Sequence, residues 1–436
     1  MLIPTRRLWW LAAALVLPAL AGAFLPGLER LTWIGNLCLL ALFLITGLTA
    51  RRWNFLRAER RVDQIMSARV PNLVRLTIHN ESDRPIAVKV HDEAPMLADV
   101  DRTDMSAEIP ADGSREFTYH VTPRERGQDA FRGVTVRYPA PLGLCEIQKR
   151  LPADQPIRVY PNVLAIREFE LLKQKGRLYL MGVRRSQMRG IGSEFESLRD
   201  YNDDDFRRID WKASGRRGRL VVRNMEPERN QGLIVCIDAG RHMLGEVQGV
   251  RKLDYALDSA LMLMHAAERM GDQVGLLIYN DLVQRWIPPK RGRAQVAALL
   301  DVIHSLQAEP VESNHVRAFA HVASRWKRRS LVVVFTDAED EAQGTALAAG
   351  LAQIRRRHLT MVFRVSDPRL RETLVREVKG AHDLFLRASG GMYDAERQKA
   401  TSRLAAAGVQ NVEAEPQDLT AALISAYLRV KERNLL

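Results

Sequence analysis

The chain of 436 residues is poor in several of the markers that usually identify an activity. Its three cysteines, Cys38, Cys145 and Cys236, are scattered and form no CxxC pair. An odd, dispersed set excludes a disulfide framework and suits a reducing compartment. No GxGxxG or GxxxxGK[ST] follows a predicted strand, which argues against either usual nucleotide-binding fold. The stretch GIGSEF holds G-x-G-S but no G-x-S-x-G after a strand, and no Ser-His-Asp set is discernible. His79, His91 and His120 lie in or near predicted strands without metal-ligand spacing, and read as surface or satisfied structural histidines. Internal repeats and low-complexity tracts are absent.

What is present is charge and long apolar runs. Lysine and arginine number 65 against 52 acidic residues, a net charge of +13. Such an excess suits nucleic acid, anionic lipid or an acidic protein partner. The composition, 46% hydrophobic and 27% charged, is that of a globular chain with room for two or three domains. Leu8 to Leu28 is uncharged for 21 residues and Leu31 to Ala50 for 20. Each matches the roughly 20 residues that cross a bilayer core. Pro26 to Arg30 separates the runs as a tight turn, and Pro18 is expected to kink the first helix. Arg6 and Arg7 precede the pair, and Arg51, Arg52, Arg57, Arg60 and Arg61 follow it. The positive-inside bias then puts both ends in the cytoplasm, with Trp9, Trp10, Trp33 and Trp53 near the interfaces. Juxtamembrane arginines of this kind attract anionic lipid at about 1 kcal/mol each. A signal peptide followed by one span is the competing reading, and no A-x-A-like site leading into a polar segment supports it.

From about Val62 to Val159 the pattern alternates apolar with polar, as in LVRLTIHN and PIAVKVHDEA, with turn signals between. About seven short strands are expected to form a small β-sandwich. From Gly232 onward near-continuous apolar strands alternate with amphipathic helices: GLIVCI, QVGLLIY, SLVVVF and HLTMVFRVS are the strands. The helix LDYALDSALMLMHAAERM places Leu253, Leu257, Leu261 and Met264 on one side. This predicts an α/β, doubly wound, mostly parallel sheet. Ligands of such sheets bind beyond the carboxyl ends of the strands, where Asp238 and Asp337 fall.

Between these regions lies Arg189 to Gln231, with interleaved charges and recurring hydrophobes: Phe195, Leu198, Tyr201, Phe206, Ile209 and Trp211. A tryptophan among charges packs its ring and lets arginines stack on it, so an ordered, ion-paired segment folded against the sheet is expected. Asp210-Trp211-Lys212 also matches the D-x-K of some metal-dependent nucleases, with Asp203 to Asp205 as added ligands. Those nuclease carboxylates sit on hydrophobic strands, which this segment lacks in the sequence pattern.

The stretch GIGSEFESLRDYNDDDFRRIDWKASGRRGRLVVRNMEPERNQ resembles the signature of a bacterial family called domain of unknown function 58. The family pattern runs roughly G-x-G-x-E-F, L-R-x-Y, G-D-D-x-R-x-I-D-W-K-A-S-A-R, a basic strand and P-E-R. Asp203 stands in place of the usual Gly, and Gly215 in place of the usual Ala. The resemblance implies two N-terminal spans, a β-sandwich and a C-terminal von Willebrand factor A-like domain. It also implies association with a MoxR-type AAA+ ATPase in a chaperone-like assembly. The A-type ion site uses D-x-S-x-S, a Thr on a second loop and an Asp after a later strand, supplying oxygens to Mg²⁺ at about 2.0–2.1 Å. Here the first motif reads Asp238-Ala239-Gly240-Arg241-His242, both serines are gone, and imidazole is a poor Mg²⁺ ligand. Ser313 and Asn314 stand about where the Thr would be, and Asp337 matches the last ligand. A degenerate metal site of Asp238 and Asp337 is therefore expected, with Asp238 paired to Arg241 or a neighbouring arginine, and no cofactor.

These readings combine into a bacterial inner-membrane protein, multi-pass with both termini cytoplasmic. Its parts are a transmembrane anchor (1–58), a β-sandwich domain (59–160), a charged signature segment (161–230) and an α/β domain (231–436). It is expected to be a scaffold rather than an enzyme, without nucleic acid or a small-molecule substrate. The expected partner-binding residues are Arg199, Asp204, Asp205, Arg208, Asp210, Trp211, Lys212 and Arg241. The alternatives are a metal-dependent nuclease and a structural envelope protein with no ATPase partner.

Overall fold

The computed structural model describes residues 1–21, 28–51, 54–162, 194–200, 209–226, 230–433 and 435. The chain forms two compact units, Met1–Tyr160 and Pro161–Leu436.

In the first unit the leading apolar run is divided into the helices Arg6–Ala14 and Val16–Ala21. The expected kink at Pro18 is thus an interruption one turn earlier. Proline has no N–H to give the carbonyl four residues back, that of Ala14, and its ring crowds that carbonyl. The second run lies in the helix Leu28–Arg51. Its segment Thr32–Ala50, with mean hydropathy 1.9, is the one stretch among the described residues long and apolar enough to cross a membrane. The expected turn at Pro26 and Gly27 lies outside the described residues.

The rest of the unit is strand-built. Asn72–Asn80 alternates buried Val74, Leu76 and Ile78 with more exposed neighbours, the period of two that puts one face on a core. It pairs antiparallel with Leu56–Arg61 and with Gly113–Pro123. A second sheet runs in the order Leu2–Pro4, Cys145–Leu151, Val134–Pro139, Ile86–Asp92, Asp104–Ile109, and a third joins Ile65–Ser67, Gln155–Tyr160 and Gly127–Phe131. The strand Leu56–Arg61 corrects the reading of Arg60 as a lipid contact, while Arg57 and Arg61 stay exposed. Arg60 is buried, its Nε 3.0 Å from Asp92 Oδ2, with its guanidinium 4.6 Å from the centre of the Phe131 ring. Tyr119 Oη donates to the same carboxylate at 2.5 Å. A charge so enclosed must be paired, and this one is.

Two pieces of the N-terminal region dock on the core that these strands share. Leu2–Pro4 pairs with Cys145–Leu151, Leu2 opposite Ile147. The last turn of the long helix enters the core at Ala50, whose carbonyl accepts from Tyr138 Oη at 3.3 Å. Leu2 lies over Gly47, where a Cβ would meet its methyls at 2.8 Å.

The second unit holds a six-stranded sheet in the order Val283–Lys290, Gln273–Tyr279, Gly232–Asp238, Ser330–Phe335, Leu359–Val365, Gln410–Ala414. All neighbours are parallel except Val283–Lys290, an antiparallel edge strand that the sequence pattern did not show. Gly232–Asp238 is buried along its whole length. Leu233, Val235 and Ile237 share a core with the helices Lys252–Arg269 and Leu419–Glu432. Ile234 and Cys236 face His315–Arg325, Glu341–Ala352 and Ala381–Ala406. The chain leaves the central strand toward one edge, then crosses to build the other side. The carboxyl end of Gly232–Asp238 is therefore the switch point of the sheet, where such folds open a crevice.

The charged segment forms a sheet of its own. Glu194–Asp200 and Val221–Glu226 pair antiparallel; the second is the basic strand that the resemblance implied, and the first had no signal in the sequence pattern.

Candidate functional site

Asp238 ends the central strand and is 2% exposed. One oxygen accepts from the Gly240 amide at 2.8 Å and from the Ser313 hydroxyl; the other accepts from Thr336 Oγ1 at 2.5 Å. Arg241 is not among these partners. It pairs instead with Glu312 at 2.7 Å, both half exposed, and donates to His242 Nε2 at 3.1 Å. The expected pairing of Asp238 with Arg241 is thus replaced by hydroxyl and amide donors. Arg241 opens a short 3-10 turn, Arg241–Leu244, and its side chain lies half exposed against Glu312. Gly240 is required by this arrangement, because a Cβ there would come within 2.0 Å of Ser313 Oγ. Ser313 does hold a position beside Asp238; Asn314 caps the helix His315–Arg325, accepting from the Arg317 amide at 2.9 Å. Tyr279 and His315 close the floor, Oη to Nδ1 at 3.1 Å, and burial holds the His315 pKa below its ordinary value.

Asp337 follows the next strand and is also 2% exposed. Three cations face it: Lys252 Nζ at 2.6 Å, Arg364 Nε at 3.3 Å and Arg397 Nη1 at 3.3 Å. Burial alone would raise the carboxyl, but Arg397, Lys252 and Arg364 outweigh it and hold Asp337 below the usual carboxylate range. Lys252 also donates to Glu339 at 2.8 Å, and Arg397 to Glu413 at 2.9 Å. Burial works against the Lys252 charge, yet Asp337 and Glu339 raise its pKa above the ordinary lysine value. Glu339 is held low against burial by His242 and Lys252. Three carboxylates and three cations form a closed, neutral set at the carboxyl ends of the strands. A cleft of about 800 Å³ opens beside it, lined by Lys252, Tyr393, Arg397, Asp367 and Glu413 among others.

Asp238 and Asp337 are therefore brought to the same end of the sheet, but as two separately satisfied groups. A divalent ion needs carboxylate oxygens without competing cations. Here Asp337 is met by three side-chain cations that would compete with an ion, while Asp238 accepts from an amide and from two hydroxyls, which are oxygens of the kind such an ion takes. Among the described residues no group of three or more His, Cys, Asp or Glu is gathered as a metal would require.

Of the partner-binding residues, Asp204, Asp205 and Arg208 lie outside the described residues, and Arg199 is described only as backbone of the strand Glu194–Asp200. Asp210 caps the helix Trp211–Arg217, accepting from the Ala213 amide at 3.0 Å. A D-x-K nuclease would carry this carboxylate on a strand. Trp211 is 66% exposed, which corrects the expectation that its ring packs. Lys212, Arg216 and Arg217 share the same exposed helix, while Ser214 faces inward and accepts from the Val221 amide at 3.0 Å.

Lys252, Arg364, Arg397, Glu339 and Thr336 went unmarked in the sequence pattern, though two carried a signal. Lys252 opens a helix, where the dipole disfavours a cation unless a carboxylate holds it. Arg364 interrupts the apolar strand Leu359–Val365, and a charge inside a buried strand demands a partner.

Residues 197–403 match a family model described as "Protein of unknown function DUF58". An uncharacterized protein of Mycobacterium tuberculosis strain H37Rv is 28% identical over 209 residues, 47% of this chain and 65% of that protein. The uncharacterized protein YeaD of Bacillus subtilis strain 168 is 28% identical over 128 residues, 29% of this chain and 31% of that one. The chain thus spans a little under two thirds of the mycobacterial relative's length. Among solved structures, the CARDB domain of the PF1109 protein from Pyrococcus furiosus has a TM-score of 0.18 at 11% identity, covering 24% of this chain and 86% of that domain. A likeness that low carries no conclusion.

Proposed function

We propose that this chain is a membrane-anchored interaction component, an adaptor for an AAA+ ATPase of the MoxR type. It is built on a von Willebrand factor A-like domain in which Lys252 supplies the charge that an ion supplies elsewhere. The observation that carries this reading is the closed set around Asp337. Each strand-end carboxylate there is met by the protein's own donors, which supports a rim held rigid in shape for recognition over one that presents a reactive group. The exposed helix with Trp211, Lys212, Arg216 and Arg217 supports a docking role, since tryptophan and arginine dominate the energetics of interfaces.

Anchoring through two crossings of a bacterial inner membrane is supported by the first unit. The chain enters at Leu2–Pro4 and returns at Ala50 onto one core, so the apolar segment between them leaves and comes back. The arginines at both ends favour the cytoplasmic side.

Capture from native membranes in mild detergent tests the reading. The full chain is expected to recover an AAA+ ATPase subunit, and a Trp211→Ala, Lys212→Ala double variant to lose it while keeping its fold, because both side chains are exposed. Failure of the parent chain to recover such a subunit, or unchanged recovery by the variant, overturns the assignment.

A further inference from the structure

The helix Pro368–Val375 turns back through residues 376–380 into the long helix Ala381–Ala406. The two arms are zipped by Leu370 and Leu374, which lie within 4 Å of where a side chain would start at Gly390 and Gly391. The far half of the long helix is anchored: Arg397, Ala400 and Leu404 are buried. Its near half is not. There Phe385 is 68% exposed and Met392 74%, with Leu384 and Leu386 also open to solvent; Val375, at the end of the shorter helix, is 79% exposed, and Val378 in the turn is open too. This is a helical hairpin with an apolar tip. Monomeric soluble proteins seldom leave so many large apolar side chains together without a use.

Basic residues flank the tip. Between Val375 and Arg387, Arg376, Lys379 and Arg387 outnumber Glu377 and Asp383. Long basic side chains beside exposed aromatic and aliphatic ones are the composition of a segment lying in the headgroup layer, apolar groups down and charges at phosphate level. The same chain holds Thr32–Ala50, able to cross a bilayer, which would keep the tip at high effective concentration near that surface. We infer that the hairpin tip, Val375 to Arg387, inserts into the surface of an anionic phospholipid bilayer. The inference rests on the membrane-anchoring reading above.

The test uses the full chain reconstituted into vesicles of phosphatidylcholine, with or without phosphatidylglycerol. In a Cys38→Ser background, Phe385→Cys carries an environment-sensitive fluorophore, and Ser402→Cys, exposed on the anchored half of the same helix, is the control. Cys145 and Cys236 are buried and stay unlabelled. Flotation of the vesicles reports anchoring separately. The label at 385 is expected to shift to the blue and to be quenched by a lipid-borne quencher but not by aqueous iodide, more so with phosphatidylglycerol, while the label at 402 stays open to iodide. Replacing Arg376, Lys379 and Arg387 by Gln should remove the dependence on phosphatidylglycerol. Protein that floats while iodide still reaches 385 overturns the inference and leaves anchoring intact. A label shielded from both quenchers also overturns it, because protein then covers the tip. Protein that does not float overturns both.

Discussion

Lys252 is the residue on which the strand-end cluster turns. Its ammonium touches Asp337 and Glu339 from the first turn of a buried helix. Taking one partner from a buried pair leaves charge uncompensated and costs about 3 kcal/mol or more. Lys252→Met is therefore expected to lower stability by about 3 kcal/mol in urea unfolding; a loss within about 0.5 kcal/mol, the range of an ordinary surface substitution, would show that the two arginines suffice. Acid should act at the same place. Asp337 titrates below its ordinary 3.8, so its contribution is full above that value and fades as pH falls through the lower folded one. His242 works in the opposite sense. Glu339 raises its pKa above 6.5 against the opposing effect of burial, so its contribution is full below 6.5 and is lost as pH rises through the folded value. His242→Gln should therefore cost roughly 1 kcal/mol at about pH 5.5 and much less at about pH 8.5, read from thermal or urea unfolding at the two values. A cost independent of pH would mean that the ring serves by packing alone.

The helices of the second unit pack closely enough to leave no room for a methyl group at one crossing. A Cβ at Gly344 would lie 2.7 Å from Ala400 Cα and 2.9 Å from its Cβ. Alanine is a better helix former than glycine by about 1 kcal/mol. Overpacking of this kind costs roughly 1–3 kcal/mol and should win, so Gly344→Ala is expected to destabilise, whereas a gain in stability would show that the two helices can slide apart. Elements of this sort divide what a sequence tells from what it withholds. Gly232–Asp238 and the stripe Leu253, Leu257, Leu261 were legible, because a fully buried strand is apolar throughout and a half-buried helix repeats every three or four residues. The strand Leu56–Arg61 was hidden because its arginines mimic a juxtamembrane cluster, and only the fold brings Asp92 to Arg60. The strand Val283–Lys290 was hidden by Pro288 and Pro289, which argue against a central strand but not against an edge. At the site, the positions of Asp238 and Asp337 were legible from strand ends, while their partners were not. Lys252, Arg364 and Arg397 come from three separate elements, and nothing local records that they converge.

At the scale of the whole chain, the first unit makes a prediction about topology. Leu2–Pro4 and Ala50 reach the same core, so on the anchoring proposed above cysteines placed at Arg6 and Asn54 should react with a membrane-impermeant maleimide from one and the same side of a sealed vesicle. Reaction from opposite sides would require a single crossing and would break the pairing of Leu2 with Ile147. The edge of the six-stranded sheet constrains the molecule in another way. Two consecutive prolines on Val283–Lys290 remove two amide donors, and because successive amides point to opposite sides of a strand, one of the two would have faced a further strand. A neighbouring copy laying down its own backbone there would meet a gap in the ladder, which weakens fibre-like growth along that flank. At that one edge, side chains are left as the better means of joining a neighbour.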